Sequence, residues 1–131
     1  KFDLIISIQT LYYLNNKDLN ERLISLNKIL KKNGMVFFTM MSTKNSYFKS
    51  FSNKKIDKSG MTLVNVSKDK GYSKRQNLIN HSHYINFTKN ENELVEKFKI
   101  FKKLAVGSYD LKLESLTRSE HHFTFLGRKR S

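Results

Sequence analysis

The distribution of apolar residues divides the first third of the chain into a strand, a helix and a second strand. Phe2 to Ile8 is almost continuously apolar, which is typical of a strand buried on both faces within a parallel sheet. Residues 18–32 carry apolar side chains at intervals of three and four, which predicts one buried helical face. That face consists of Leu19, Leu23, Leu26, Ile29 and Leu30. Gly34 suits the left-handed conformation that ends a helix, and Met35 to Met40 predicts the neighbouring parallel strand.

The middle of the chain is more polar and rich in lysine. Tyr47, Phe48 and Phe51 are spaced as on a short amphipathic helix. Residues 60–66 and 78–87 contain strand-like stretches separated by the polar residues 67–77. We therefore expect a hairpin or an extended excursion in this region.

The last third of the chain predicts one more helix and two more strands. Thr88, followed three residues later by Glu91, is a capping-box pattern. The apolar face of the helix that it opens consists of Leu94, Val95 and Phe98. Residues 100–113 and 122–126 predict the two strands, joined by the polar connector 114–120.

Several parts of this pattern resemble class I S-adenosylmethionine-dependent methyltransferases. The segment Phe2-Asp-Leu-Ile-Ile-Ser-Ile-Gln-Thr-Leu-Tyr-Tyr-Leu14, the helix after it and Leu30-Lys-Lys-Asn-Gly-Met-Val-Phe-Phe-Thr39 resemble the family's fourth strand, fourth helix and fifth strand. Residues 87–98 and 101–109 resemble its last helix and sixth strand, and residues 122–129 resemble its antiparallel seventh strand. The family's Gly-rich first loop and the acidic residues after its second and third strands have no counterpart here.

The resemblance implies an α/β fold with flanking helices and a partial Rossmann-like methyltransferase sheet, in which strands four to seven are present and the last is antiparallel. A central strand does not normally open a domain, so we expect residues 1–131 to be the C-terminal half of one methyltransferase domain. Residues 42–86 are expected to be an inserted segment that covers the substrate. The expected function is part of a methyltransferase that uses S-adenosyl-L-methionine and a small-molecule acceptor. The fragment alone is expected to be inactive, because it lacks the Gly-rich loop and the acidic partner of the ribose.

The net charge favours a different class of partner when it is taken alone. A formal charge of +14, taken alone, indicates nucleic acid, an anionic membrane or a phosphorylated substrate as the partner. However, 20 of the 25 basic residues are Lys, there are 13 Asn, and the lysines are scattered through every segment. AT-rich codons produce this combination, so a solvated surface is the favoured interpretation. Two alternatives stay open: a basic nucleic-acid-binding or RNA methyltransferase module, and a non-enzymatic methyltransferase-like partner subunit.

Other features of the composition indicate the cellular compartment of the protein. No apolar run approaches the roughly 20 residues of a membrane span. The chain has no Cys, which excludes disulfides and thiolate metal sites. We expect a cytoplasmic protein without a membrane partner, for which a homodimer is one compatible assembly.

The candidate site lies where the first two strands end. Ligands of open parallel sheets bind beyond the carboxyl ends of the strands. The resemblance places the methionine part of the cofactor against the turn after the first strand. The expected cofactor contacts are Ser7, Ile8, Gln9 and Leu11. The expected acceptor contacts are Tyr12, Tyr13, Thr43 and Tyr47.

The four histidines are the candidate general bases for a hydroxyl acceptor. His81 and His83 share one face if their segment is a strand, and they fall in the expected substrate cover, so these two are the predicted catalytic pair. His121 and His122 are expected on opposite faces of the last strand. For any single histidine, a surface or hydrogen-bonded role competes with catalysis. No third ligand accompanies the His-x-His pair, so no metal site is predicted.

Overall fold

The computed structural model describes residues 1–69, 81–111 and 118–131. The described strands are β1 (Phe2–Ser7), β2 (Leu30–Met41), β3 (Thr62–Asn65), β4 (Ser82–Ile85), β5 (Phe101–Asp110) and β6 (His121–Lys129). The described α-helices are α1 (Asn16–Ile29), α2 (Ser46–Lys49) and α3 (Glu91–Lys97), and Leu11–Tyr13 and Val66–Lys68 are short 3-10 helices.

Four of the described strands form one sheet in the order β1-β2-β6-β5. β1 and β2 run parallel, whereas β6 is antiparallel to both of its neighbours. The predicted α/β fold class with an antiparallel last strand is therefore confirmed. β3 and β4 pair antiparallel in a second, smaller sheet, which is the pairing of the predicted hairpin. The predicted connectors 67–77 and 114–120 lie largely outside the described residues, as do the beginning of the predicted strand 78–87 and the end of the predicted strand 100–113.

Asparagine side chains cap both α1 and α3. Asn15 accepts a hydrogen bond from Asp18 N at 2.8 Å, and Asn90 accepts one from Glu93 N at 2.9 Å. The predicted capping box at Thr88 is wrong, because Thr88 is fully buried and lies two residues before the observed cap. At 14 residues α1 is the longest described helix, and none in these parts of the chain has the length and apolar content of a transmembrane helix.

The end of α1 also differs from the prediction. The helix ends at Ile29 and not at Gly34. Leu30 is already extended and fully buried, and it opens β2 by pairing with Phe2. The left-handed residue nearby is Asn33, with φ of 62°. Gly34 lies within β2, where an added Cβ would come within 2.7 Å of the Leu30 side chain, so this glycine permits close packing and does not end the helix.

Aromatic side chains form the centre of the core. Phe38, Phe98, Phe101 and Phe125 are at most 1% exposed. The ring of Phe98 packs against Phe38 and Phe125, with centroid distances of 5.3 and 5.1 Å. Phe98 directly follows α3, and the other three rings belong to three different strands, so the cluster ties the end of α3 to the large sheet.

One face of β1 is exposed, which corrects the prediction that this strand is buried on both sides. Phe2, Leu4, Ile6 and Ile8 are between 45% and 57% exposed. β1 is an edge strand, and alternate residues of a strand share one face, so these side chains form a single apolar surface. The periodicity correctly marks the strand as apolar, but within the described residues nothing covers this side of it.

Candidate active site

A cavity of about 210 Å³ lies at the carboxyl ends of β1 and β2. Its walls come from the turn after β1, the end of β2, α2, the small sheet with the residues that follow β3, and the beginning of β6. The lining residues are Gln9, Tyr12, Tyr13, Met41, Tyr47, Val66, His83, Ile85, Glu120 and His122. This is the edge of a parallel pair of strands at which ligands bind in open α/β sheets.

Gln9 turns the chain out of the sheet and toward the cavity. Its φ of 54° is in the left-handed region, which is uncommon for a residue with a side chain. The Gln9 backbone N–H donates to Thr39 Oγ1 at 2.8 Å, and its side-chain Nε2 donates to the Tyr109 hydroxyl at 3.0 Å. These two bonds tie the turn to β2 and β5, and hold one wall of the cavity in place.

Tyr12 and Tyr13 follow this turn in the short 3-10 helix. Their ring centroids lie 4.7 Å apart, but Tyr12 is buried whereas Tyr13 is half exposed. The position of Tyr12 is held from the opposite wall, since the Asn86 backbone N–H donates to Tyr12 O at 2.7 Å. Burial raises the pKa of the Tyr12 phenol well above its usual value, so this hydroxyl remains protonated and can donate a hydrogen bond.

His122 is the most deeply buried ionisable side chain of the lining, at 2% exposed. Its ring stacks on Tyr109, with centroids 5.0 Å apart and planes 7° apart. His122 Nδ1 lies 2.7 Å from Glu120 O. A carbonyl oxygen can only accept, so Nδ1 carries the proton and Nε2 of the neutral ring bears a lone pair. Nε2 is buried and has no hydrogen-bond partner among the described residues.

Burial keeps the His122 ring neutral. Burial lowers the pKa of His122 below its usual value. The hydrogen bond to Glu120 O and the nearby carboxylates of Glu120 and Asp110 act in the opposite direction, and His121 adds to the lowering. At neutral pH this side chain is therefore an acceptor at Nε2 and a donor at Nδ1.

An ion-pair network closes the side of the cavity near α2. Arg118 binds Asp69 at 2.7 Å and Glu120 at 2.9 Å. The Tyr47 hydroxyl donates to Asp69 at 3.3 Å, and the Arg118 guanidinium lies 5.9 Å from the centre of the Tyr47 ring. Since Asp69 and Arg118 belong to segments far apart in sequence, the network joins the residues after β3 to the approach to β6.

The predicted catalytic pair, His81 and His83, lies at the outer wall. Their Nε2 atoms are 2.9 Å apart, so one nitrogen donates to the other and the two rings share one proton in this contact. His83 lines the cavity and its ring lies 6.2 Å from Tyr13. Burial lowers the pKa of His83, with a further contribution from His81. Within the described residues, no cluster of three or more His, Cys, Asp or Glu could hold a metal ion.

The structure brings some of the predicted site residues together and separates others. The cavity is lined by five of them: Gln9, Tyr12, Tyr13, Tyr47 and His83. Four others do not line the cavity. Ser7 ends β1 beside Phe38, and Ile8 is exposed on the uncovered side of the sheet. Leu11 is in the core, and the Thr43 backbone N–H donates to Thr88 O. His81 touches the cavity only through its contact with His83.

Sequence reasoning named His122 as one of four candidate bases but did not select it, and it missed Glu120. The adjacent histidines do indicate that one of them faces inward, because neighbouring residues of a strand point to opposite faces. Which one faces the site depends on the register, in which His122 pairs with Met41 on one side and with Tyr109 on the other.

No protein-family model and no curated protein matches the chain. Its structure, however, matches solved structures. A SAM-dependent methyltransferase from Methanosarcina mazei aligns with a TM-score of 0.68 and 13% identity over 98% of this chain. An S-adenosylmethionine-dependent methyltransferase from Clostridium acetobutylicum aligns over 100% of this chain with a TM-score of 0.58 and 17% identity. The N-methyltransferase NodS from Bradyrhizobium japonicum, in complex with S-adenosyl-L-homocysteine, aligns over 99% of this chain with a TM-score of 0.52 and 12% identity.

These alignments cover only part of the other proteins. The chain spans 59% of the length of the first two and 47% of the third. It therefore has the fold of part of an S-adenosylmethionine-dependent methyltransferase domain. At these identities, the likeness concerns the fold alone.

Proposed function

We propose that this chain is the acceptor-binding half of a methyltransferase that transfers a methyl group from S-adenosyl-L-methionine to a small molecule. The observation that carries the proposal is the cavity at the carboxyl ends of β1 and β2, in a fold shared with enzymes of this class. Its volume of about 210 Å³ suits a small molecule better than a macromolecular chain. The residues around it come from segments that are far apart in the chain, between Gln9 and His122.

The protein's part in such a reaction is to position the reactants and exclude water. When bound, the cofactor supplies an electrophilic methyl group on a positively charged sulfur, and direct displacement requires that the acceptor be aligned with it. The turn at Gln9 is held at both backbone and side chain, so it offers a rigid edge for alignment. The faces of Tyr12 and Tyr13 are suited to lie near a sulfonium, because aromatic faces attract cations.

The residues present fit only part of the cofactor. Ser7 and Gln9 provide a hydroxyl and an amide that can bind the amino and carboxylate groups of its methionine part. Between Leu4 and Lys17 the chain has no Asp or Glu that could bind the ribose hydroxyls. We therefore propose that Ser7, Ile8 and Gln9 contact the methionine part, that Leu11 supports their turn from the core, and that adenosine is held by residues outside 1–131.

The open face of β1 is the proposed attachment surface for the rest of the domain. Leu4 and Ile6 pair with Met35 and Phe37, so the apolar surface continues from β1 onto β2. An uncovered apolar sheet face of this kind marks an interaction surface. The segment 42–86 is the proposed substrate cover, and its described part supplies Tyr47, Val66, His83 and Ile85 to the lining.

The proposal is tested by calorimetric titration of S-adenosylhomocysteine. We would titrate residues 1–131 and a longer polypeptide that carries the first three strands of the domain. The longer polypeptide is expected to bind in the micromolar range, and residues 1–131 at least about 100-fold more weakly, since most polar contacts to the cofactor lie outside them. Equal binding by both would refute the division of the site. An absence of binding by both would exclude the methyltransferase function and favour a non-enzymatic partner subunit.

A further inference from the structure

His122 lines the cavity, and its buried Nε2 has no hydrogen-bond partner among the described residues. Resting on the proposed function, we propose that His122 Nε2 accepts the proton of the methyl acceptor. We also propose that the acceptor is a small planar molecule that bears an O–H or N–H nucleophile and no negative charge.

The orientation of the His122 ring is fixed by its neighbours. The bond from Nδ1–H to Glu120 O selects the tautomer, and the parallel stack on Tyr109 holds the plane of the ring. Tyr12 packs on the ring from another side, at a centroid distance of 5.9 Å. A buried polar atom without a partner is uncommon in a folded protein and needs an explanation. A ligand that donates a hydrogen bond to Nε2 supplies one.

The lining also limits the charge of the ligand. None of the side chains lining the cavity in the described parts of the chain is Lys or Arg, although the whole chain has a net charge of +14. The carboxylate of Glu120 is part of the lining, and Arg118 beside it is already bound to both Glu120 and Asp69. An anion would therefore be desolvated here without a free cation to receive it.

Aromatic rings favour a planar ligand. Tyr12, Tyr13 and Tyr47 all contribute to the lining, with His83 on the outer side. Planar molecules bury their faces against such rings in offset or edge-on arrangements. Met41 adds an adaptable apolar surface at the end of β2.

The proposed step is balanced in atoms and charge. The lone pair of the acceptor's oxygen or nitrogen forms the new bond to the methyl carbon, and the electron pair of the former carbon–sulfur bond stays on sulfur. The proton of the acceptor moves to His122 Nε2, which becomes an imidazolium. The Glu120 carbonyl and the carboxylates of Glu120 and Asp110 stabilise this cation.

The first test measures binding to residues 1–131 without any cofactor, by NMR titration. The probes are phenol, anisole and phenyl phosphate, which share a ring but differ in the proton donor and the charge. Phenol is expected to bind about fivefold more tightly than anisole, since only phenol donates to Nε2. Phenyl phosphate is expected to bind at least about tenfold more weakly than phenol. Equal affinities for phenol and anisole would overturn the role of His122, and tight binding of phenyl phosphate would overturn the charge limit.

A matched pair of variants assigns the effect to one residue. His122→Phe keeps a ring against Tyr109 but removes the acceptor nitrogen, so the preference for phenol over anisole should disappear. His121→Phe changes the neighbouring histidine, which bonds to Ser42 Oγ and does not line the cavity, and it should keep the preference. A preference for phenol that survives in His122→Phe would overturn the proposal.

A measurement on the unchanged protein covers the case in which His122→Phe does not fold. A long-range 1H–15N spectrum of the histidines should show Nε2 of His122 without a proton, and its resonance should shift when phenol is added. A protonated Nε2, or no shift at saturation, would contradict the proposal. Because these tests need no cofactor, they can fail while S-adenosylhomocysteine still binds the longer polypeptide, which separates this proposal from the proposed function.

Discussion

Lys97 Nζ donates a hydrogen bond to Asn86 Oδ1 at 2.9 Å, and this bond connects α3 to the wall of the cavity. The same ammonium also donates to Phe87 O at 2.8 Å. Asn86 in turn holds the residues before α1, since its backbone N–H donates to Tyr12 O and its side-chain Nδ2 donates to Leu14 O. A lysine that touches no lining residue therefore positions the turn that carries Tyr12.

Substitution of this lysine should destabilise the fold. Lys97→Met keeps the apolar stem but removes the ammonium, which leaves the buried Asn86 Oδ1 without its donor and Glu93 without its ion pair at 3.1 Å. We expect a loss of about 2–4 kcal/mol in the free energy of unfolding, measured by urea denaturation. Phenol binding should also weaken, because the Tyr12 turn loses its support.

Lys99→Met is the matched control for this substitution. Lys99 pairs with Glu96 at 2.8 Å, but both side chains are 71% exposed. Exposed ion pairs contribute little, so this variant should change the free energy of unfolding by less than about 1 kcal/mol. Equal losses in the two variants would show that the buried network has no special role.

Replacing Gln9 should affect binding more than stability. Gln9→Gly relieves the left-handed backbone, which has φ of 54°, but removes the bond to the Tyr109 hydroxyl and increases the freedom of the unfolded chain. These effects oppose each other, and we expect the free energy of unfolding to stay within about 1 kcal/mol of the wild type. Binding of phenol should weaken, because Tyr109 is the ring on which His122 stacks.

Lys54 provides a control for the backbone effect. It has φ of 57° and is exposed away from the cavity, and its backbone N–H bond to Ser52 Oγ survives a change to glycine. Lys54→Gly should leave phenol binding unchanged. If Gln9→Gly and Lys54→Gly bind phenol equally well, the side chain of Gln9 does not organise the site.

The order of elements could be predicted from the sequence because it depends on local periodicity. Leu19 and Leu23 recur as on one face of a helix, and both are buried. Gly34 misled the prediction because turn residues indicate where a helix can end, whereas the pairing of Leu30 with Phe2 determines where it does end. The exposure of Ile6 could not be predicted either, because an apolar run specifies the strand but not its neighbours.

The candidate site could be predicted in part for the same reason. Gln9, Tyr12 and Tyr13 follow the first strand directly, so the general location of ligand sites in parallel sheets is enough to find them. His122 joins them through pairing with Met41 and Tyr109, contacts between segments far apart in the chain. That register arises from packing of the whole sheet, and no short motif encodes it.

The open face of β1 predicts that one substitution has different effects on stability in residues 1–131 and in the longer polypeptide. Ile6 is 57% exposed, so Ile6→Lys should leave the stability of residues 1–131 unchanged within about 0.5 kcal/mol and reduce their self-association, measured by analytical ultracentrifugation. In the longer polypeptide the same change should destabilise the domain, because the lysine would be buried against the added part of the domain.

Ile56→Lys is the control for this experiment, since Ile56 is 44% exposed but lies outside the described strands. It should have little effect in either context. A destabilised longer polypeptide with Ile56→Lys, or an unaffected one with Ile6→Lys, would argue against β1 as the attachment surface.

Acidification should destabilise the chain through its histidines. Burial lowers the pKa of His83, His121 and His122 below the usual 6.5, with like-charged neighbours adding to the effect. The folded state therefore binds fewer protons than the unfolded state just below this pH. The contribution of these neutral histidines to the free energy of unfolding is complete above about pH 6.5. It is lost as the pH falls through their folded-state pKa values. His122→Phe should reduce the slope of the free energy of unfolding against pH just below about pH 6.5, by at most about 1.4 kcal/mol per unit. Parallel curves for the two proteins would mean that His122 is already protonated in the folded state or remains as basic as in the unfolded chain, and neither would fit a buried, unprotonated Nε2.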